Sequence, residues 1–317
     1  MRVLVTGGGG FIGHHLVHAL LEGGHEVAVI DDFRTGRHWR LADVVDAIHL
    51  VEGDVRDPAA LDRAVAGCEV VLHEAALPSV AMSIRDPRLS SDINVGGTVE
   101  VMLAAGRAGV RRVVFAGSSS IYGADPRLPR LESHMPDPRS PYAVNKLAGE
   151  QMVHVLGELH GIESVVLRYF NIFGPGQDPN SEYAPVVPAF IQAGLRDEQP
   201  TIYGDGLQSR DFTFVENVVS ANLLAATAAG ASGSTCNIGC GGRYSLLDLL
   251  GSIGAALGHP IAPLFEAPRV GDVRDSQASI EVAQERLGYR VIVPFEEGVR
   301  RTVSWYRDAP ADLLQRP

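Results

Sequence analysis

Short β-branched runs alternate with amphipathic stretches through the first half of the chain. Residues 2–6 (RVLVT), 26–30 (EVAVI), 47–51 (AIHLV), 70–73 (VVLH), 112–116 (RVVFA) and 164–168 (SVVLR) predict strands. Between them, apolar positions three and four apart predict helices near 11–22, 58–66, 90–108 and 142–160. Strand–helix alternation with right-handed crossovers predicts an α/β, doubly wound parallel sheet. After about residue 170 the alternation gives way to proline- and glycine-punctuated pieces, with helices expected at 186–196, 215–229, 245–257 and 296–307. The expected division is a first domain over 1–168, to which 213–240 returns, and a smaller α/β domain from 169–212 and 241–317.

Composition narrows the class. Of 317 residues 45% are apolar and 21% charged, as in a globular protein. No apolar run reaches the roughly 18 residues of a membrane span, and MRVLVTGGGG leads straight into a strand, so a cytoplasmic protein with no membrane partner is expected. With 27 basic and 38 acidic residues the net charge is −11, which argues against nucleic acid and requires a local site for any anion. Cys68, Cys236 and Cys240 form no CxxC pair, so neither a disulfide framework nor a zinc ribbon is expected. Cys236 and Cys240 read as buried small hydrophobes. His14 and His18 lie four apart but lack the glutamate of an HExxH motif, and no metal is expected.

The segment TGGGGFIG at 6–13 follows the first strand and opens the first helix. Gly7 permits a tight turn, Gly10 a close backbone approach to a pyrophosphate, and Gly13 close helix packing, with the pyrophosphate on the helix N-terminus. The second strand ends at Asp31 and Asp32, where a carboxylate reaches the adenosine ribose and repels a 2′-phosphate. NAD is therefore favoured over NADP, with Arg34 and Arg37 as the contrary signal. Asp54, after the third strand, is placed toward the adenine. This is the signature of a Rossmann domain.

Twenty-six of the 27 basic residues are arginine, and the lone lysine is Lys146, four residues after Tyr142 in SPYAVNKLAGE. The i, i+4 spacing puts both side chains on one helix face. A compact ammonium beside a phenol lowers its pKa and can also bond a ribose, which a guanidinium does less well. Ser118, in FAGSSSIYG at the end of the fifth strand, is brought by sheet topology toward Tyr142.

Together Gly7, Gly10, Gly13, Asp31, Asp54, HEAAL at 73–77, Asn94, SSSIYG, Tyr142, Lys146 and RYFNIFG at 168–174 resemble the extended short-chain dehydrogenase/reductase family, in its sugar-nucleotide epimerase/dehydratase branch. HEAALPSVAMSIRDP, FNIFGPGQDPNSEYAPVVP and GDGLQSRDFTFVENVV are most similar to UDP-N-acetylglucosamine and UDP-glucose 4-epimerases. The resemblance implies NAD as cofactor, held also by Phe11, Ile12, Asp32, Val55, Ala75, Ala76, Asn94 and Tyr169. It implies that Tyr142, as phenolate, takes the proton of the sugar 4-hydroxyl while C4 is oxidised, that Ser118 shares the proton, and that Lys146 and the nicotinamide cation lower the phenol pKa. A 4-keto sugar would turn over in the pocket and be reduced on its other face.

Dehydratase relatives carry Asp-Glu one and two residues after the serine, and decarboxylase relatives keep the Glu; here stand Ser119 and Ser120, so reversible oxidation at C4 is what remains. By the same likeness Arg210 and Arg269, helped by Arg274, would hold the nucleotide diphosphate, with Asn171 as a further contact. Ser79, Val187 and Asp272 complete the substrate set. Tyr203 reads either as a uracil stack or as a packing residue. Ser276 falls where strictly glucose-type epimerases carry a bulky aromatic beside C2, which leaves room for an N-acetyl group. Two alternatives stay open: 4-epimerisation of UDP-glucuronate, and a non-catalytic NAD-binding scaffold or sensor. The resemblance also implies a homodimer through a four-helix bundle of 90–108, 142–160 and their copies.

Overall fold

The computed structural model describes residues 1–179, 185–268 and 273–310. Strand β1 (Arg2–Thr6) is followed by α1 (Phe11–Glu22), β2 (Glu26–Asp31), β3 (Ile48–Glu52), α2 (Pro58–Val65) and β4 (Val70–His73). Then come α3 (Val80–Arg85), α4 (Pro87–Ser91), α5 (Gly97–Ala108), β5 (Arg112–Ser118), α6 (Pro141–His160) and β6 (Glu163–Tyr169). The second half contains β7 (Ile172–Phe173), α7 (Val186–Leu195), β8 (Thr201–Tyr203), β9 (Ser209–Arg210), β10 (Thr213–Phe214) and α8 (Val215–Thr227). It ends with β11 (Ser234–Ile238), β12 (Tyr244–Ser245), α9 (Leu246–Leu257), β13 (Leu264–Glu266), α10 (Glu281–Leu287) and α11 (Phe295–Asp308).

Among the described residues seven strands form one parallel sheet in the order β11-β6-β5-β4-β1-β2-β3. Strands β1, β2, β4, β5 and β6, buried on both faces, read as near-continuous apolar runs. Side chains alternate across the sheet: Val3, Val5, Val27 and Val29 pack on α1, α8 and α10, while Leu4, Ala28 and Ile30 pack on α2, α5 and α6. A third core, built on Phe173, Phe190, Phe212, Phe214 and Phe295, unites α7, α9 and α11 in the C-terminal half.

Two of the differences from the sequence expectation concern the sheet and the wall of the cleft. Strand β11 (STCNI) lacks the apolar run that marks its neighbours, yet it pairs with β6 over five residues and extends the sheet. Its polar positions have work: Asn237 accepts from the Tyr122 hydroxyl at 2.6 Å and donates to the Arg130 carbonyl. The single helix expected over 90–108 is instead α4, a π turn at Asp92–Gly96, and α5. The turn buries Asn94, whose amide accepts from the Leu77 N–H at 2.7 Å and donates to the Leu77 carbonyl at 3.2 Å.

Helix α6 is well delimited. The Ser140 side chain caps it by accepting from Ala143 N–H, Pro141 opens the first turn, and Gly161 closes it at φ 68°. The Tyr142 N–H, free at a helix start, donates to Ser83 Oγ at 3.0 Å, which ties this end of α6 to α3.

Candidate active site

The carboxyl ends of β1, β2, β4, β5 and β6 open into one cleft of about 1430 Å³, where a doubly wound sheet binds its ligands. Gly7 follows β1 at φ 72°, a conformation open to glycine at little cost. A Cβ at Gly7 would lie 2.8 Å from the Ala75 backbone, and one at Gly13 would lie 2.1 Å from the Gly7 carbonyl oxygen. Gly10 caps α1 without a side chain, so the first-turn N–H groups stay available to an anion. Gly7, Gly10, Phe11, Ile12 and Gly13 all line the cleft, and the loop is a cradle that side chains would fill. These residues fit a dinucleotide.

Asp31 ends β2 and accepts from Gly9 N–H and Phe33 N–H, both at 2.8 Å, which fixes its carboxylate and leaves lone pairs for a ribose. Burial pushes its pKa up, against those two hydrogen bonds. Asp32 is bonded by the backbone and Nε of Arg34. Asp54 is clamped by Nε and Nη2 of Arg56, which holds its carboxyl below the usual range. Val55, Ala75 and Ala76 complete this wall of the cleft.

A contact set missed in the sequence binds the glycine loop to the C-terminal half. Buried Arg40 donates to the Gly9 carbonyl at 3.0 Å and to the Gly176 carbonyl at 2.7 Å. Arg37 pairs with Asp178 at 3.1 Å, and His15 donates to the Pro175 carbonyl at 2.9 Å. Nothing in a 26-arginine composition singles out Arg40.

At the other end of the cleft Ser118, Ser119 and Ser120 meet Tyr142. Ser118 stands beside Tyr142, favouring its ionised phenol, and donates to Ser120 Oγ at 2.9 Å. Lys146 lies behind this wall, 5% exposed, with Nζ donating to the Ala116 carbonyl at 2.8 Å and lying 5.1 Å from the centre of the Phe115 ring. Burial pushes the Tyr142 phenol up, the neighbouring Ser118 hydroxyl opposes this, and the Glu74 charge raises it further. The Lys146 ammonium is itself pulled down by burial and supported by Glu74, whose own carboxyl burial pushes up. Glu74, in the HEAAL segment, bears no catalytic signal in the sequence; its carboxyl accepts from the Tyr169 hydroxyl.

The remaining expected residues divide. Asn171, Ser79, Arg210 and Ser276 line the cleft with Tyr169. Asn171 adopts φ 35°, Ser79 caps α3, and Arg210 donates to the carbonyls of Ser209 and Arg274. Asn94 stands behind the wall and shapes the Leu77 backbone instead of facing the cleft. Val187 is 2% exposed within the third core, and Tyr203 pairs in β8 with β13; neither lines the cleft. Arg274 turns outward to Asp205 at 2.9 Å. Arg269 and Asp272 lie outside the described residues. Cys236 is fully buried and Cys240 half-buried. Among the described residues no His, Cys, Asp and Glu cluster could hold a metal, and no helix is long and apolar enough to cross a membrane.

Residues 3–239 match the NAD dependent epimerase/dehydratase family. A UDP-glucose 4-epimerase of Mycolicibacterium smegmatis is 40% identical over 313 residues, covering 97% of this chain and 99% of that protein. The structure of UDP-glucose 4-epimerase with UDP-glucose from Thermotoga maritima superposes with a TM-score of 0.92 at 34% identity, over 97% of this chain and 99% of that one. UDP-N-acetylglucosamine 4-epimerase from Methanobrevibacter ruminantium, in complex with UDP-N-acetylmuramic acid, gives 0.92 at 35%, over 96% and 98%. With its glycine cradle, Asp31 and the Ser118–Tyr142 pair, the chain thus belongs to the NAD dependent epimerase/dehydratase family, is an enzyme, and has NAD as its cofactor.

Proposed function

We propose that this enzyme interconverts the C4 epimers of UDP-hexoses, UDP-GlcNAc with UDP-GalNAc and UDP-glucose with UDP-galactose. The observation that carries the reading is that Ser118 and Tyr142 line one cleft, with Ser119 and Ser120 following where elimination would need an acid and a base. Glu74 lines the same cleft, but its carboxyl is engaged by the Tyr169 hydroxyl. The names of the similar proteins support the same chemistry.

Gly7, Gly10, Phe11, Ile12, Gly13 and Asp31 hold NAD in this reading, with Asp32, Asp54, Val55, Ala75, Ala76 and Tyr169 along its path. Bound NAD supplies reversible hydride exchange with the sugar carbon. Tyr142 takes the proton of the 4-hydroxyl and returns it to the epimeric hydroxyl, a role of about 10²–10⁴ in rate. Ser118 orients that hydroxyl. Lys146 contributes a fixed cation behind the phenol. Arg210, Asn171, Ser79 and Ser276 bind the nucleotide sugar, with the small Ser276 side chain admitting an N-acetyl group. The sugar nucleotide is assigned to the unit of 169–212 and 241–317, and the cofactor to 1–168 with 213–240.

Val144, Met152, Val155 and Leu159 form an exposed apolar stripe on α6, which supports a homodimer through α5 and α6 of two copies. The test of function is direct. Separate incubations with UDP-glucose, UDP-GlcNAc and UDP-glucuronate are resolved chromatographically; formation of the C4 epimer is expected, and its absence with all three, in enzyme carrying NAD, overturns the reading.

A further inference from the structure

Buried arginines are ordinarily held by acceptors on several of their five N–H donors, a carboxylate among them. Arg112 and Arg168 follow that rule, paired with Glu163 and Glu150. Arg40 departs from it. It is 4% exposed, its hydrogen bonds run to two neutral carbonyls, those of Gly9 and Gly176, and its Nε has no partner among the described residues. Burial pulls its pKa down to about 10, so it is still a cation at neutral pH. An apolar side chain in this place would spare the fold that desolvation. What the guanidinium adds is a bridge between two segments far apart in the chain.

Both ends of the bridge belong to the cofactor end of the cleft. The Gly9 carbonyl accepts from Arg40 Nη1 at 3.0 Å and from the Arg37 N–H at 2.9 Å, while the Gly9 N–H donates to Asp31 at 2.8 Å. Gly176 sits at φ 78°, and a Cβ there would lie 2.9 Å from the His14 ring. Its neighbours join the same seam. The Pro175 carbonyl accepts from His15 at 2.9 Å, Asp178 pairs with Arg37 at 3.1 Å, and the Gln177 carbonyl accepts from the Tyr306 hydroxyl. Trp39 stacks on Trp305 of α11 with ring centres 6.4 Å apart. Gln177 and Asp178 line the cleft together with Phe11, Ile12, Arg37 and Arg40. Residues 175–178 thus wall the cofactor end, and Arg40 bonds both that wall and the glycine loop.

We infer that Arg40 is a positioning residue that fastens 175–178 to the glycine loop and thereby makes NAD a resident cofactor instead of one exchanged with solution. This rests on the placement of NAD on the glycine cradle and Asp31 given above. Hydride taken from C4 must return to the same sugar, so cofactor lost between the two transfers leaves an oxidised sugar with no means of reduction. A ligand walled by two segments leaves when one of them swings out, and Arg40 opposes that motion by bonding both. Through Gly9 it also keeps an N–H aimed at the Asp31 carboxylate, where the adenosine ribose is held. Arg40 touches no reacting atom in this scheme, so its loss alters how long NAD stays and not how fast bound NAD reacts.

The test compares wild type, Arg40→Met and Arg40→Lys, with Gly13→Ala as a control for the cradle itself. Holoenzyme loaded with radiolabelled NAD is diluted into unlabelled NAD and the loss of label is timed; conversion of UDP-glucose and UDP-GlcNAc is followed against added NAD. Arg40→Met releases label about 10- to 100-fold faster, as for loss of charge-assisted hydrogen bonds, and Arg40→Lys, which keeps the charge but reaches one carbonyl, lies between. Turnover of Arg40→Met comes to depend on added NAD, and at saturation its kcat is within about threefold of wild type. Label loss as slow as in wild type overturns the inference. A kcat that saturating NAD does not restore overturns it too, since Arg40 then shapes the reacting geometry or the fold at large. Should Arg40→Met not fold, Arg40→Lys decides by the same two readings. If Gly13→Ala holds NAD as wild type does, the placement of the cofactor fails and the inference with it; if Gly13→Ala sheds NAD and Arg40→Met does not, the inference alone fails. Label exchange needs no turnover, so absence of epimerisation in wild type overturns the epimerase reading and leaves the exchange result to stand.

Discussion

The Tyr169 hydroxyl donates to Oε1 of Glu74 at 2.7 Å and accepts from Nδ2 of Asn222 at 2.8 Å. A carboxyl beside the cleft is thus joined to β6 and α8, and its charge acts on both Tyr142 and Lys146. Glu74→Gln keeps an acceptor for Tyr169 and removes that charge. Ionised Glu74 raises the Tyr142 phenol and supports the Lys146 ammonium, so without it both groups lose their protons at lower pH. Both limbs of the kcat/KM profile are expected to move toward acid. A profile that keeps its position while only its height falls would refute this coupling.

Tyr142→Phe removes the proton-carrying oxygen and little volume. Epimer formation is expected to fall by about 10²–10⁴, while the NAD content released on denaturation stays as in wild type. Retained activity would relocate the base.

At Gly13 a Cβ would stand 2.1 Å from the Gly7 carbonyl oxygen, an overlap that α1 can relieve only by lifting from the loop. Gly13→Ala should lower stability by roughly 1–3 kcal/mol and abolish NAD retention. The milder Gly10→Ala, with its Cβ 3.0 Å from the same oxygen, should keep the fold; paired thermal melts and cofactor assays separate the two.

His73 links β1 to α5 through Thr6 and Thr98 at 2.7 and 3.0 Å. Burial, with a smaller effect of Lys146, lowers its pKa to about 3. The unfolded chain, ionising near about 6.5, takes up this proton first, so the contribution of neutral His73 is complete above about pH 6.5 and is lost as pH falls toward 3. Urea midpoints at pH 8, 6 and 4 should decline in that order, with a flatter slope for His73→Asn.

Helix α6 leaves Val155 52% and Leu159 73% exposed. If a second copy covers them, the double change Val155→Asp, Leu159→Asp yields a monomer in sedimentation without loss of the helix signal in circular dichroism. An unchanged sedimentation coefficient places the dimer elsewhere or excludes it.

The sheet was legible because parallel strands buried on both faces carry dense β-branched runs, as in EVAVI and VVLH. Strand β11 was not, since Asn237 and Thr235 serve side-chain hydrogen bonds and break that signal. Gly7, Gly13, Tyr142 and Lys146 were legible from spacing, because each answers a local geometric need. Arg40 was not, because what distinguishes it is burial and its two carbonyl partners, which only tertiary structure assigns. Val187 and Arg274 were expected in the substrate pocket by likeness; the first packs into the third core and the second pairs with Asp205.

Lys146 is buried and no other lysine exists in the chain. The exterior therefore offers no ε-amine to esters, aldehydes or acylating agents, whatever their concentration. A reagent small enough to reach the interior, and tethered to a nucleotide, would find a single primary side-chain amine and so report on one position alone.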